Sequence, residues 1–272
     1  MELELPSVKD LGSFTKLIES FEEDGNGDLE FKCTKFVVVD KVTHAAWVGS
    51  LDIPKKQVTM KQALGCLRRV PDSEIYPAVA PNMPQVAASG DTLAHDAWLK
   101  RPNIAVYSQV AGSTIIADEL SDEIRTCQLI QANPHPNIVE FRGCLEKGGR
   151  VIGILLKRYA ITLSTRVKGY SQPPFDAISL LKGIEAGLEH LHSLGLAHND
   201  LNPEYVMLDE QGRPVIIDMG SCKPLGQKLH QGGTPDWNDG FEEVSSVAND
   251  QIGLQKVGEW LSVSCAKRNF SP

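Results

Sequence analysis

The sequence predicts an α+β fold whose front half mixes strands with helices and whose back half is mostly helical. Apolar, β-branched-rich runs at 36–39 and 151–156 have the length and composition of buried strands. Apolar residues recur at helical spacing through about 113–131 and again through 178–191. The 272 residues suffice for one or two domains with a substantial core.

The front half contains an amphipathic stretch from Leu11 to Phe21, followed by a Gly/Asp turn and the strand at 36–39. Residues 76–94 are rich in Pro, Ala, Ser and Gly, which indicates a loop or connector. Residues 97–100 form a short predicted strand that Pro102 stops, and the helix at 113–131 ends before two further prolines.

In the back half, the helix at 178–191 stops near Gly195. A predicted strand over 214–218 closes on a carboxylate, Asp218. A last helical pattern runs through 252–261.

Composition excludes several classes of protein. A net charge of −8 and a pI near 5.4 argue against a general nucleic-acid binder and against an anionic membrane surface as partner. No apolar run approaches the roughly 20 residues that span a bilayer, and the acidic N-terminus lacks the apolar region of a signal peptide. Six cysteines without CxxC spacing predict reduced thiols and an intracellular protein, cytoplasmic or nuclear.

The most informative motif is His198-Asn199-Asp200-Leu201-Asn202-Pro203-Glu204-Tyr205, which follows a predicted helix, together with Asp218-Met219-Gly220 further on. One carboxylate can orient or accept the proton of an attacking hydroxyl, and a second can hold Mg²⁺ against phosphates. Taken singly, Asp200 could be a helix cap and Asp218 a turn residue. Their order and spacing favour phosphoryl transfer.

These residues resemble the eukaryotic protein-kinase family: HNDLNPEY is similar to HRDLKPxN, and DMG to DFG. The resemblance covers about residues 95–262 and looks closest to a divergent branch found in fungi, in which HND replaces HRD. It implies a two-lobed fold with a small, mostly β N-lobe and a reduced, mostly α C-lobe. The implied divisions are an N-terminal segment with connector (1–94), an N-lobe core (95–157) and a C-lobe (158–272).

The resemblance also implies roles for single residues. Asp200 would be the catalytic base, Asp218 the Mg²⁺ ligand, Lys100 the anchor for ATP phosphates, and Glu123 the ion-pair partner of Lys100. Leu156, Lys157, Arg158 and Tyr159 look like the hinge whose backbone holds adenine. For Lys100 the alternative is a surface lysine beside Arg101, and for Glu123 it is a solvated glutamate on the helix surface. Asp250 would hydrogen-bond the backbone of the catalytic loop, at Asn199 and Asp200.

The departures from the family pattern matter equally. Tyr205 stands where the family places a metal-binding Asn, and a phenol is a poor Mg²⁺ ligand. Asn202 replaces the Lys of HRDLKP, which removes a cation near the transferred phosphate. Asn199 replaces the Arg that binds a phosphorylated activation segment. No GxGxxG precedes Lys100; the small residues at 87–91 are weak evidence, and 240–243 is at best a remnant of the family's APE.

The sequence therefore leaves two main hypotheses. In the first, the chain transfers phosphate from Mg-ATP to Ser or Thr of a protein substrate, at an attenuated rate. In the second, it is a pseudokinase that binds or scaffolds a partner without catalysis. Phosphotransfer to a small molecule is a weaker third hypothesis. None of them calls for nucleic acid or a membrane.

Overall fold

The structure is a computed structural model that describes residues 6, 8–25, 27–81, 83, 86–88, 95–169, 175–229, 233–239 and 243–269. The small residues at 89–91 and the segment 240–242, both considered above, lie outside the described residues. The chain divides into two compact units, each built from three segments. The first holds Met1–Pro81, Arg101–Ser121 and Glu146–Gly153; the second holds Asn82–Lys100, Asp122–Leu145 and Ile154–Pro272.

The first unit is organised around an antiparallel sheet of four strands in the order β1-β2-β3-β4. The strands and the two short helices near them are β1 (Lys16–Glu23), β2 (Leu29–Val39), β3 (Ala46–Leu51), α1 (Met60–Cys66), β4 (Arg68–Val70) and α2 (Asp72–Ile75). A cluster of Phe14, Phe36, Val38, Trp47 and Leu67 forms the core of this unit. Burying such side chains stabilises the unit by about 1.5–3 kcal/mol each.

The middle of the chain contributes a second four-stranded sheet and a long helix. Its elements are β5 (Val86–Ala88), β6 (Ala97–Lys100), α3 (Tyr107–Val110), α4 (Ile115–Ala132), β7 (Phe141–Lys147) and β8 (Arg150–Lys157). The sheet order is β5-β7-β8-β6, and β6 pairs with β8 so that Lys100 lies opposite Ile154. The predicted strands and helix are present, although the loop expected at 76–94 contains the short strand β5.

The rest of the chain is mostly helical, with short strands between the helices. Its elements are β9 (Ile161–Thr162), α5 (Leu163–Lys168), α6 (Ala177–Ser193), β10 (Leu196–Ala197), β11 (Val206–Leu208), β12 (Pro214–Ile216), β13 (Lys223–Pro224) and α7 (Val247–Asn269). The carboxylate of Asp176 caps α6 by accepting the backbone N–H groups of Ile178 and Ser179. Because β12 ends at Ile216, Asp218 lies two residues beyond the strand that was predicted to contain it.

Candidate active site

Lys100, Glu123 and Asp218 form a charged cluster in the second unit. Lys100 ends β6, Glu123 lies in the middle of α4, and Asp218 follows β12. Nζ of Lys100 donates to Oδ1 of Asp218 at 2.6 Å and also to Oε1 of Glu123. One cation thus bridges two carboxylates that are 118 and 23 residues away along the chain.

Little of the cluster is exposed to solvent. The pKa of each of its members therefore depends on burial and on its charged neighbours. Burial disfavours the ammonium, yet the two carboxylates outweigh burial and raise the pKa of Lys100 well above its usual value. Burial raises the pKa of Glu123 against the opposing effect of Lys100. Burial would also raise the pKa of Asp218, but the charge and hydrogen bond of Lys100 lower it. Asp218 is therefore ionised at neutral pH.

The backbone at Asp218 has the left-handed conformation, with φ of 63°. Aspartate tolerates this region better than most residues because its short side chain can bond locally. Oδ1 of Asp218 accepts the N–H of Gly220 at 3.2 Å. A Cβ at Gly220 would lie 3.2 Å from that oxygen and 3.3 Å from Nζ of Lys100, so a side chain there would press on the cluster.

The loop that carries Asp200 is hydrogen-bonded to Asp250 of α7. The carboxylate of Asp250 is fully buried. Asp250 accepts the N–H of Asn199 at 2.7 Å and the N–H of His198 at 2.9 Å. It also accepts Nε2 of His192 at 2.8 Å. Asp250 was expected at Asn199 and Asp200; it bonds Asn199 but not Asp200, because the N–H of Asp200 turns back to Nδ1 of His198.

His198 connects this loop to the chain that leads into Asp218. Its ring is fully buried; Nδ1 accepts from Asp200 at 3.3 Å and Nε2 donates to the carbonyl of Ile217 at 2.9 Å. Both bonds together require the neutral tautomer with its proton on Nε2. A single imidazole thereby links the backbone of Asp200 to the residue that precedes Asp218.

Asn199, with φ of 64°, makes a dense network around its buried amide. Nδ2 donates to the carbonyls of Ala197 and Ser221, at 2.8 and 3.0 Å, and to the hydroxyl of Ser245 at 3.0 Å. Oδ1 accepts from the backbone of Ser246 and the side chain of Asn249. A neutral amide thus joins the loop, the segment after Asp218 and the start of α7 without any charge.

Asp200 faces the segment around Thr234. Its Oδ1 accepts the N–H of Thr234 at 2.6 Å, and Asn202 donates to the hydroxyl of Thr234 at 3.2 Å. A Cβ at Gly233 would lie 3.0 Å from the carbonyl of Asn199, so a residue without a side chain is needed at this approach. Within the described residues Oδ2 of Asp200 has no hydrogen-bond partner, which leaves one oxygen free for a hydroxyl group.

Tyr205 lies near both carboxylates. Burial raises the pKa of its phenol, and the negative charges of Asp218 and Asp200 raise it further. The side chain is half-buried and neutral at physiological pH. It therefore places a hydroxyl, and no carbonyl or carboxylate oxygen, beside Asp218.

A cavity of about 300 Å³ adjoins the cluster. Its lining is mostly apolar and ends on Lys100 and Asp218; the other lining residues are Trp98, Val139, Leu156, Lys157, Arg158, Tyr159, Met207 and Ile217. All four residues predicted to form the hinge therefore line it. The N–H groups of Lys157 and Arg158 are already donated to the carbonyls of Glu140 and Asp96, at 2.9 and 2.6 Å. Among the described residues, the N–H of Tyr159 has no partner.

The structure thus brings together Lys100, Glu123 and Asp218 and places Asp200 on the same hydrogen-bonded loop system. Sequence reasoning missed Thr234 as the partner of Asp200, and it missed the amide network of Asn199. Gly233 and Thr234 acquire a role in the site through their close approach to this loop.

A partly buried lysine between two carboxylates, a loop that carries a further carboxylate and an adjoining apolar cavity are groups of the kind that phosphoryl transfer uses. The family model for the protein kinase domain matches residues 104–239, half of the chain. The chain therefore belongs to the protein kinase family, which confirms the predicted α+β kinase fold. The placement in a fungal branch stays a prediction.

Curated relatives agree with this assignment. A serine/threonine-protein kinase/endoribonuclease, IRE1, from Oryza sativa subsp. japonica is 31% identical over 133 residues, or 41% of this chain. The serine/threonine-protein kinase PknG of Mycolicibacterium smegmatis is 33% identical over 112 residues, or 40% of this chain. The serine/threonine-protein kinase TAO1-B of Xenopus laevis is 26% identical over 154 residues, or 55% of it. The chain spans about 15% of the length of these relatives.

Members of this family use ATP and Mg²⁺ in general, and the donor set here fits both. Within the described residues Oδ2 of Asp218 has no hydrogen-bond partner, and Mg²⁺ is commonly held by one or two carboxylates with phosphates and water. No cluster of three or more His, Cys, Asp or Glu suited to a metal occurs in the described part of the chain. In that same part, no helix is both long and apolar enough to cross a bilayer.

Proposed function

We propose that the chain transfers the γ-phosphoryl group of ATP to a serine or threonine hydroxyl of a protein substrate, at an attenuated rate. The observation that carries this proposal is the buried bridge of Lys100 between Glu123 and Asp218 at the end of an apolar cavity. Such a bridge keeps a cation in place where phosphate oxygens must be bound.

In the proposed reaction, the substrate hydroxyl oxygen forms a bond to the γ-phosphorus while the bond from that phosphorus to ADP breaks. The hydroxyl proton passes to the free oxygen of Asp200, whose other oxygen is held by Thr234. Lys100 binds phosphate oxygens, and Glu123 holds Lys100 in position. Mg²⁺, held by Asp218, would supply electrostatic stabilisation of the charge on the phosphates.

The adenine end of the cavity is formed by the hinge. Since the N–H groups of Lys157 and Arg158 are used within the protein, we assign the N–H of Tyr159 as the donor to the adenine ring. Leu156, Val139, Met207 and Ile217 provide the apolar contact for its faces.

Three departures argue for an attenuated rate. Tyr205 offers no ligand to a second metal ion, and Asn202 supplies a hydrogen bond to Thr234 but no cation. Within the described residues β6 pairs with β8 alone, so no glycine-rich hairpin is found beside Lys100. The first and third departures equally support the alternative, a pseudokinase that binds or scaffolds a partner.

The deciding experiment is a thermal-shift titration with ATP, with and without Mg²⁺, followed by single-turnover transfer to a generic acceptor protein. A ligand that binds the folded state must raise the melting temperature. Transfer by the wild type that Asp200→Asn abolishes supports the enzyme. A Mg-ATP shift without transfer, in protein confirmed to be folded, supports the pseudokinase. No shift at all rejects the phosphoryl-transfer proposal.

A further inference from the structure

The hairpin of β1 and β2 extends beyond the four-stranded sheet of the first unit. β3 pairs with β2 only from Thr34 to Val39, whereas β1 continues to pair beyond that point. The overhanging residues, 21–23 and 29–31, form a two-stranded segment that we call the ribbon, paired as Phe21↔Phe31, Glu22↔Glu30 and Glu23↔Leu29. Within the described residues no third strand pairs with either edge of the ribbon.

One face of the ribbon is apolar although it lies in solvent. Side chains alternate between faces along a strand, so Phe21, Phe31 and Leu29 share a face, on which Glu23 also lies at the end of the ribbon. Phe21 is 49% exposed and Leu29 is 73% exposed, while Phe21 and Phe31 meet edge-to-face at 6.0 Å. A two-stranded hairpin gains little stability by itself, and a third strand paired along an edge would place its own apolar side chains beside Phe21 and Leu29.

The other face of the ribbon is acidic. Glu22 lies directly opposite Glu30, an arrangement of like charges that destabilises an antiparallel pair. Residues 21–31 contain five carboxylates and no lysine or arginine. Lys32, just beyond the ribbon, forms an ion pair with Glu22, and it is the only basic residue that bonds either glutamate within the described residues.

From these observations we infer that the ribbon is a docking site for an extended, basic segment of a partner protein. The segment pairs along a free edge of the ribbon, so its own side chains alternate between the two faces. Apolar side chains at alternate positions contact Phe21 and Leu29, and Lys or Arg side chains between them neutralise Glu22 and Glu30. A second copy of this chain is a poor occupant, because two acidic ribbons repel each other.

The test uses two short fluorescent peptides of equal length, one alternating Lys with Val and the other alternating Glu with Val, titrated by anisotropy. The wild type should bind the Lys peptide, and less tightly at high salt. Glu22→Gln/Glu30→Gln should weaken this binding about five- to tenfold, the range expected from losing two exposed ion pairs. The substitution removes a repulsion, so folding should be preserved; thermal melting checks this.

The matched control is Glu185→Gln/Glu210→Gln, which removes two exposed carboxylates elsewhere and should leave affinity within about twofold. Leu29→Ser should weaken binding through the apolar face. Equal losses in the two double variants, equal binding of the two peptides or no binding of either would overturn the proposal. Sedimentation velocity gives the remaining outcome: a dimer that Leu29→Ser dissociates would identify the ribbon as a self-association surface instead.

Discussion

At the scale of single residues, the site depends on how one partly buried cation is shared. Lys100 stabilises the negative charges of both Glu123 and Asp218, whereas Asp218 opposes the ionisation of Glu123. Removing one partner of a buried charge pair leaves the other uncompensated and typically costs 3–5 kcal/mol. The same coupling gives the cluster a pH dependence.

Asp218→Asn tests that dependence. Lys100 lowers the pKa of Asp218 below its ordinary value, so ionised Asp218 stabilises the folded state above about pH 4, and this stabilisation disappears as pH falls through the lowered pKa. Asparagine cannot ionise and tolerates the same backbone conformation. The difference in unfolding free energy between wild type and variant should be constant near neutral pH and shrink below about pH 4 in denaturant titrations. A difference independent of pH would contradict the ion pair.

Tyr205→Asn tests the most serious departure from the family. If the remaining site is functional, an amide oxygen beside Asp218 should raise single-turnover phosphoryl transfer at least about tenfold, equivalent to about 1.4 kcal/mol. Tyr205→Phe, the matched control, removes only the hydroxyl and should give no gain. If Tyr205 is instead a packing residue in an inactive site, stability should fall by about 1–3 kcal/mol and no activity should appear.

At the scale of elements, the loop that carries Asp200 is positioned by hydrogen bonds from two directions. Asp250 holds the backbone of His198 and Asn199 from α7, and the Asn199 amide binds the segment after Asp218. Both contacts are made by side-chain and backbone groups of the chain itself. Loop geometry should therefore be independent of phosphorylation of the segment near Thr234, and phosphatase treatment should leave nucleotide shifts unchanged.

Asn199→Gly and Asn199→Ala separate the two properties of that residue. Both remove the amide that donates to the carbonyls of buried Ala197 and partly buried Ser221, which should cost about 1–3 kcal/mol. Alanine must also adopt φ of 64°, at an additional cost of about 1–2 kcal/mol that glycine avoids. Denaturant unfolding should rank the proteins wild type, Asn199→Gly, Asn199→Ala. Equal stability of all three would contradict the network.

Sequence reasoning reached the site where a residue type and its spacing were enough. Periodicity located α4 and α6 to within two residues, and the motifs singled out Lys100, Glu123 and Asp218. It could not find the bonds of Asn199 to Ser221, Ser245 and Asn249, because they join residues 22 to 50 positions apart. Nor could it find the bond of Thr234 to Asp200, which spans 34 positions. Such pairs follow no period, and an amide can bond equally well to many partners.

At the scale of the whole molecule, the two units do not follow each other along the chain. Residues 101–121 and 146–153 belong with 1–81. Within the first unit, Tyr107 donates to Glu74 at 2.7 Å and Arg150 donates to the carbonyl of Tyr76 at 2.8 Å. The segment matched by the kinase family model therefore includes parts of a unit whose sheet lies before it in the sequence.

Deletion of residues 1–81 tests this organisation. The deletion would expose Ile104 and Val151, which are buried in the intact chain, and would remove the partners of Tyr107 and Arg150. The truncated protein should lose cooperative thermal unfolding or melt far below the wild type. A truncated chain with the melting temperature and nucleotide shift of the intact protein would show that the second unit is self-sufficient.

The division of the first unit into three segments also sets the order of events during synthesis. Its four-stranded sheet is complete in sequence by Val70, but the last segment of the unit ends only at Gly153. At about 5–20 residues per second, the ribosome needs on the order of 4–14 seconds to make the 72 residues between positions 81 and 153. Throughout that interval the nascent sheet lacks its neighbours, so chaperone protection should matter most before residue 153 emerges.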